Sequence, residues 1–141
     1  MTGSKYYVMS LDVLERHMLT MRAIIDNDYY DEYPDRPRTR LWAAAFKNFI
    51  KDAFQDTRYE LVSFTGNHRD GSGFLTDPTE GTYVYVSCGF GFQPYEYETN
   101  ILIRTAKSPK DFTGGPNHCT SMKDFHRNVV ALFDQQETLP F

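Results

Sequence analysis

Residues 81–106 read GTYVYVSCGFGFQPYEYETNILIRTA, from Gly81 to Ala106. Two alternating runs meet at Gln93-Pro94. In the first, Thr82, Val84, Val86, Cys88, Phe90 and Phe92 share one side; in the second, Tyr95, Tyr97, Thr99, Ile101, Ile103 and Thr105 do. Side chains alternate across a strand with period 2, so each run has one apolar face. Folding the runs about Gln93-Pro94 pairs Cys88 with Thr99, Val86 with Ile101 and Val84 with Ile103. Both apolar faces then lie on one side, as a hairpin covering a core requires. Pro94 cannot take the positive φ of a type I′ turn, so the spacing predicts a longer, four-residue tip.

Working back toward the N-terminus, Lys5–Met9 is a short run of strand formers. Ser10 stands where a helix N-cap belongs, with Asp12 in the first turn. Leu11, Leu14, Met18, Met21 and Ile25 follow at helical spacing. A helix over about 10–26 is expected. A second, over about 37–55, carries Leu41, Trp42, Ala45, Phe46, Phe49, Ile50, Ala53 and Phe54 on one wide apolar face. That face calls for a sheet, which the hairpin supplies. Residues 57–64 read as a strand. Residues 65–80 and 107–120 read as long polar loops, because glycine and proline punctuate both. Ser121, with Asp124 three residues on, opens a third helix over about 121–135, with Met122, Phe125, Val129, Leu132 and Phe133 as its buried stripe.

The expectation is an α+β fold, in one domain over 1–141. A small, mainly antiparallel sheet has its central hairpin at about 82–106, and the three helices pack on it. The 141 residues suffice for a real core, and 40% hydrophobic with 16% aromatic content is globular rather than disordered. A net charge of −4 argues against duplex nucleic-acid binding, which needs clustered Lys and Arg. No apolar run approaches the roughly 18 residues of a membrane span, and no secretory leader precedes Ser10. Cys88 and Cys119 make no disulfide framework, so a cytoplasmic setting is expected, the host's cytoplasm if the gene is phage-encoded. An open strand edge of the hairpin could pair with its copy to give a homodimer.

Catalytic and metal signatures are lacking. Asn67–Gly73 (NHRDGSG) echoes a kinase catalytic loop only in three letters. His118, Cys119 and His126 lack zinc-ligand spacing, and His126 falls partly off the helix stripe, a surface position. Asp26, Asp28, Asp31 and Glu32 lack the glycine of a calcium loop. No cofactor, metal or catalytic residue is therefore assigned.

The segment that stands out is DNDYYDEYPDR, residues 26–36. It places five acids within ten residues, and the remaining 14 acidic and 15 basic residues nearly cancel. Tyrosines interleave the acids. Tyrosine offers large contact area at small entropic cost, and acids steer toward a basic partner. Asp28, Tyr29, Tyr30, Asp31, Glu32 and Tyr33 are therefore the candidate partner-binding residues. The expected function is a non-enzymatic accessory or inhibitor protein, of the type carried by phages and mobile elements. Its partner would be a host protein that handles nucleic acid. The alternative is a small-molecule, nucleotide-like binder using the hairpin's other face and the 65–80 loop, through Tyr83, Tyr85, Arg104, His68 and Arg69. There tyrosines would stack on a planar ligand and Arg104 would pair with its anion.

Overall fold

The computed structural model describes residues 4–29, 41–66, 70–89 and 100–137. In chain order these form α1 (Leu11–Tyr29), α2 (Leu41–Ala53), β1 (Glu60–Gly66), β2 (Asp70–Asp77), β3 (Thr82–Gly89), β4 (Ile101–Ala106), β5 (His118–Thr120) and α3 (Phe125–Glu137). The sheet is an antiparallel meander in the order β1-β2-β3-β4-β5. Helices α2 and α3 lie on one face, α2 over β1 and β2, α3 over β3 and β4, while α1 packs on α2. The expected α+β architecture is the observed one.

The helices form where periodicity places them. Ser10 Oγ accepts the Val13 N–H at 3.2 Å, and Ser121 Oγ accepts that of Asp124 at 3.1 Å, so both predicted caps are made. The second half of the Ser121 capping box is not: the Asp124 carboxylate reaches forward to Arg127, 3.0 Å away. On α2, Trp42, Phe46, Phe49 and Ile50 are fully buried, each contributing about 2–3 kcal/mol of burial free energy. The Trp42 indole N–H is satisfied by the Cys88 carbonyl at 3.2 Å. Phe125, Val129 and Phe133 fill the space beneath α3. Leu11 departs from its expected stripe and is exposed, as is Leu41.

Five expectations are corrected. Lys5–Met9 is not a strand: only Ser4 bridges, in parallel, to Thr57, and the run that follows has no neighbouring strand. Half of the 65–80 loop, Asp70–Asp77, is β2. Its glycines are there for packing: a β-carbon at Gly73 would stand 3.0 Å from Phe64 Cδ2, and one at Gly71 3.2 Å from Phe46 Cδ2. The 107–120 loop ends in β5, too short to show a period. The hairpin register is slipped by two residues, pairing Val86 with Ile103 and Tyr85 with Arg104. A slip of two keeps every side chain on its face, so the face prediction survives: Val84, Val86, Cys88, Ile101 and Ile103 are all buried. Finally, both hairpin strands are interior, β3 beside β2 and β4 beside β5, so neither offers an edge to a second copy. The tip at Gln93-Pro94 lies outside the described residues.

One irregularity explains why β1 reads as apolar on both sides. Its pairing with β2 shifts between Val62 and Thr65, and Ser63 sits at φ +54°. The bulge turns Phe64 to the same side as Tyr59 and Leu61, where its ring meets Phe46 at 6.3 Å.

Candidate functional site

The acidic tyrosine segment joins α1 to α2. These helices run antiparallel: His17, early in α1, meets Asp52, late in α2, at 2.7 Å. The end of α1 and the start of α2 therefore lie at the opposite pole. There Ala43 packs against Gly66 and Gly71, Trp42 bonds Cys88, and Asp70 pairs with Gly89. The anchors of three stretches, 30–40, 67–69 and 90–99, thus converge, and each stretch leaves and rejoins the fold at this pole.

In the sequence, charge is concentrated on these stretches and their flanks. Asp26, Asp28, Asp31, Glu32, Asp35, Asp70, Glu96 and Glu98 belong to these stretches and their flanks. Arg36, Arg38, Arg40 and Arg69 oppose them, leaving −4, the net charge of the whole chain. The same stretches and flanks of the sequence contain Tyr29, Tyr30, Tyr33, Tyr95 and Tyr97, half of the ten tyrosines. Asp28 and Tyr29 close α1. Tyr30, Asp31, Glu32, Tyr33, His68 and Arg69 lie outside the described residues.

The second candidate set is brought together in part. Tyr85 and Arg104 face each other across β3 and β4, with the guanidinium carbon 4.1 Å from the ring centroid. Arg104 is buried, and its Nη2 donates to the Phe112 carbonyl. Phe112 belongs to the 107–117 connection, which folds as a strap over the sheet's outer face. Its ring packs edge-on to Phe74 and Tyr85, at 5.5 and 6.1 Å. Gly115 N–H donates to the Thr105 carbonyl at 2.9 Å, and a β-carbon on Gly114 would collide with that same carbonyl. Asp111 orders the strap from within, its carboxylate accepting the Lys107, Thr113 and Gly114 N–H groups at 2.8–3.2 Å. Those bonds hold its carboxyl down at about 2. Tyr83 lies two residues from Tyr85 on the same face, and its carbonyl accepts the Gln136 amide at 3.1 Å.

Elsewhere the polar chemistry is structural. Burial pushes the Cys88 thiol up, which keeps it neutral beneath the helices. His126 is half-buried rather than on the surface. Its Nδ1 donates to the Ala53 carbonyl at 2.8 Å, while Nε2 lies 3.0 Å from the Lys5 carbonyl and 3.4 Å from the Tyr7 nitrogen. Asp77, with no exposed surface, pairs with Arg58 at 2.6 Å. Its other oxygen accepts the Thr79 N–H at 3.0 Å and so shapes the β2–β3 turn. Among the described residues, no group of three or more His, Cys, Asp or Glu could hold a metal, and no helix is long and apolar enough to cross a membrane. No protein-family model, curated protein or solved structure matches this chain.

Sequence reasoning missed two features. The strap carries no periodic signal, since its order comes from one aspartate bonding neighbouring amides. The apolar groove beside residues 6–9 has no signal in the sequence, since its walls come from that run and from the starts of α1 and α3.

Proposed function

We propose that this is a non-enzymatic cytoplasmic protein that binds another protein through its acidic, tyrosine-rich pole, centred on Asp28–Tyr33. The observation that carries the reading is that the stretches anchored at one end, together with the flanking Asp26, Asp28, Tyr29 and Asp70, contain in sequence a net charge of −4 and half of the tyrosines. Acids arrayed between aromatic side chains suit a groove lined with Lys and Arg that ordinarily holds phosphates. The carboxylates would occupy phosphate positions, and the tyrosines would supply stacking area. An inhibitor of a nucleic-acid-handling host enzyme, of accessory phage or mobile-element type, is the sharpest form of the proposal. The nucleotide-like ligand reading ranks below it, because Arg104 is already engaged by Tyr85 and the Phe112 carbonyl.

The test is affinity capture from host lysate with the wild type and the Tyr29→Ala/Tyr30→Ala/Tyr33→Ala variant, read by mass spectrometry, with circular dichroism confirming the fold. A protein retained only by the wild type, released by rising salt and by competing oligonucleotide, supports the proposal. Capture that survives the triple change refutes it.

A further inference from the structure

At the pole opposite the acidic segment, residues 4–10 cross the starts of α1 and α3. Exposure alternates along them: Tyr7 and Met9 turn inward, while Tyr6 and Val8 are 63% and 89% exposed. That period of 2 belongs to an extended strand. The hydrogen bonds agree, since residues i and i+2 of a strand present their polar groups to one edge. On one edge the Lys5 carbonyl and the Tyr7 N–H both meet His126 Nε2. On the other, the Ser4 carbonyl accepts the Arg58 N–H at 2.9 Å, and Tyr6 bonds only the Ser4 hydroxyl. Next on that edge is Val8, whose N–H and carbonyl have no hydrogen-bond partner among the described residues. Open backbone groups of this kind are a template for another strand. The sheet's own edges are poorer templates: β1 is broken by its bulge at Ser63, and β5 is three residues long.

Between the run and the helices lies a groove of about 440 Å³, with Met9, Leu14, Ala53 and Met122 in its apolar lining. Of the six large apolar side chains exposed among the described residues, Tyr6, Val8 and Leu11 border this one groove. A contiguous exposed apolar surface marks a binding site more often than chance exposure does. The charges beside it are engaged within the protein. Arg127 pairs with Asp124 at 3.0 Å, and Lys123 is not free either. A charged group seated here would lose its water and meet no spare counter-charge, so the lining fits an uncharged occupant. A small apolar molecule would fill the groove and leave the Val8 backbone as it is. An extended peptide answers both features, main chain against main chain and alternate side chains in the groove.

We infer that the Tyr6–Met9 run takes up an extended, uncharged peptide segment of a partner protein as an added strand. Its main chain bonds the Val8 N–H and carbonyl, and its alternate apolar side chains rest against Met9, Leu14 and Met122. The site is separate from the acidic pole and stands or falls separately from it.

The experiment titrates the isotope-labelled protein with a capped heptapeptide of alternating leucine and threonine, followed by NMR. The Val8 amide and the Met9 and Met122 methyls are expected to shift saturably, with Kd below about 1 mM, while the Met21 methyl stays unmoved. The same peptide N-methylated at every residue keeps its apolar side chains but has no N–H to donate, and should bind at least about tenfold more weakly. Replacing its central leucine by lysine, or by glutamate, should weaken it by a similar factor. Val8→Pro removes an amide that the fold does not use, at an extended position that proline tolerates, so the variant should fold and lose at least about tenfold in affinity. Val8→Thr, which keeps the amide, should bind as the wild type does. The inference is overturned by any of these results: no saturable Val8 shift up to about 1 mM peptide, undiminished affinity for the N-methylated or a charged peptide, wild-type affinity in Val8→Pro, or shifts confined to β1 or β5. It is equally overturned if the same resonances move with protein concentration alone, which would make the occupant a second copy of this chain.

Discussion

Gly66→Ala is the most informative single change, because its effect should depend on one other methyl group. A β-carbon at Gly66 would collide with that of Ala43, where α2 begins. Ordinary carbon contacts sit near 3.5–4.0 Å, so the helix must lift from the β1–β2 connection to admit it. Overpacking of this kind costs about 1–3 kcal/mol, while replacing glycine in a strand returns about 0.5–1 kcal/mol of backbone entropy. The net expectation is a loss of about 1–2 kcal/mol, or about 3–6 °C in Tm for a domain of this size. In an Ala43→Gly background the colliding methyl is gone. That background itself loses about 1 kcal/mol through helix propensity. Adding Gly66→Ala to it should then be neutral or stabilising. Urea denaturation of the four proteins gives a double-mutant cycle whose coupling energy should be about 1–3 kcal/mol, the single changes being worse than their combination. Coupling near zero would refute the contact. Stabilisation by Gly66→Ala alone would refute the packing argument for these glycines.

Asp77→Ala should cost about 3 kcal/mol in urea denaturation, because it removes the buried carboxylate that pairs with the half-buried Arg58 and leaves the β2–β3 turn amides unmet; Asp77→Asn, which keeps an oxygen for those amides, should cost less. Asp111 is lowered in the folded protein from its ordinary 3.8 to about 2, so its ordering of the strap is complete above about pH 4 and lost as pH falls through about 2. Amide exchange at Thr113 and Gly114 should accelerate across that window in the wild type, and Asp111→Ala should show fast exchange already at neutral pH. Exchange in the wild type that ignores this window would contradict the assignment.

The candidate sites were unevenly legible. The charge and tyrosine clustering of 26–36 stands in the residues themselves. Its company does not: that the 67–69 and 90–99 connections start and end beside the same helix terminus follows from the antiparallel α1–α2 pair and the meander. Tyr85 and Arg104 were read as facing the same way, correctly, but as an open surface. Phe112, eight residues beyond Arg104, closes over them, and no periodicity in the strap announces it.

What the sequence determined by itself was orientation. The helical spacing of α2 and α3 and the alternation of β3 and β4 state which side chains go inward, since that is a local property of 3.6- and 2-residue periods. What the tertiary structure decided was partnership. Register can slip by two without moving a side chain off its face, so Tyr85 meets Arg104 rather than Leu102 only because the whole sheet is assembled. Gly71 and Gly73 read locally as turn residues. In the fold they are strand residues: Phe64 of the neighbouring strand packs against both, and Phe46 of α2 packs against Gly71, a contact with a segment far off in the chain that no local window contains.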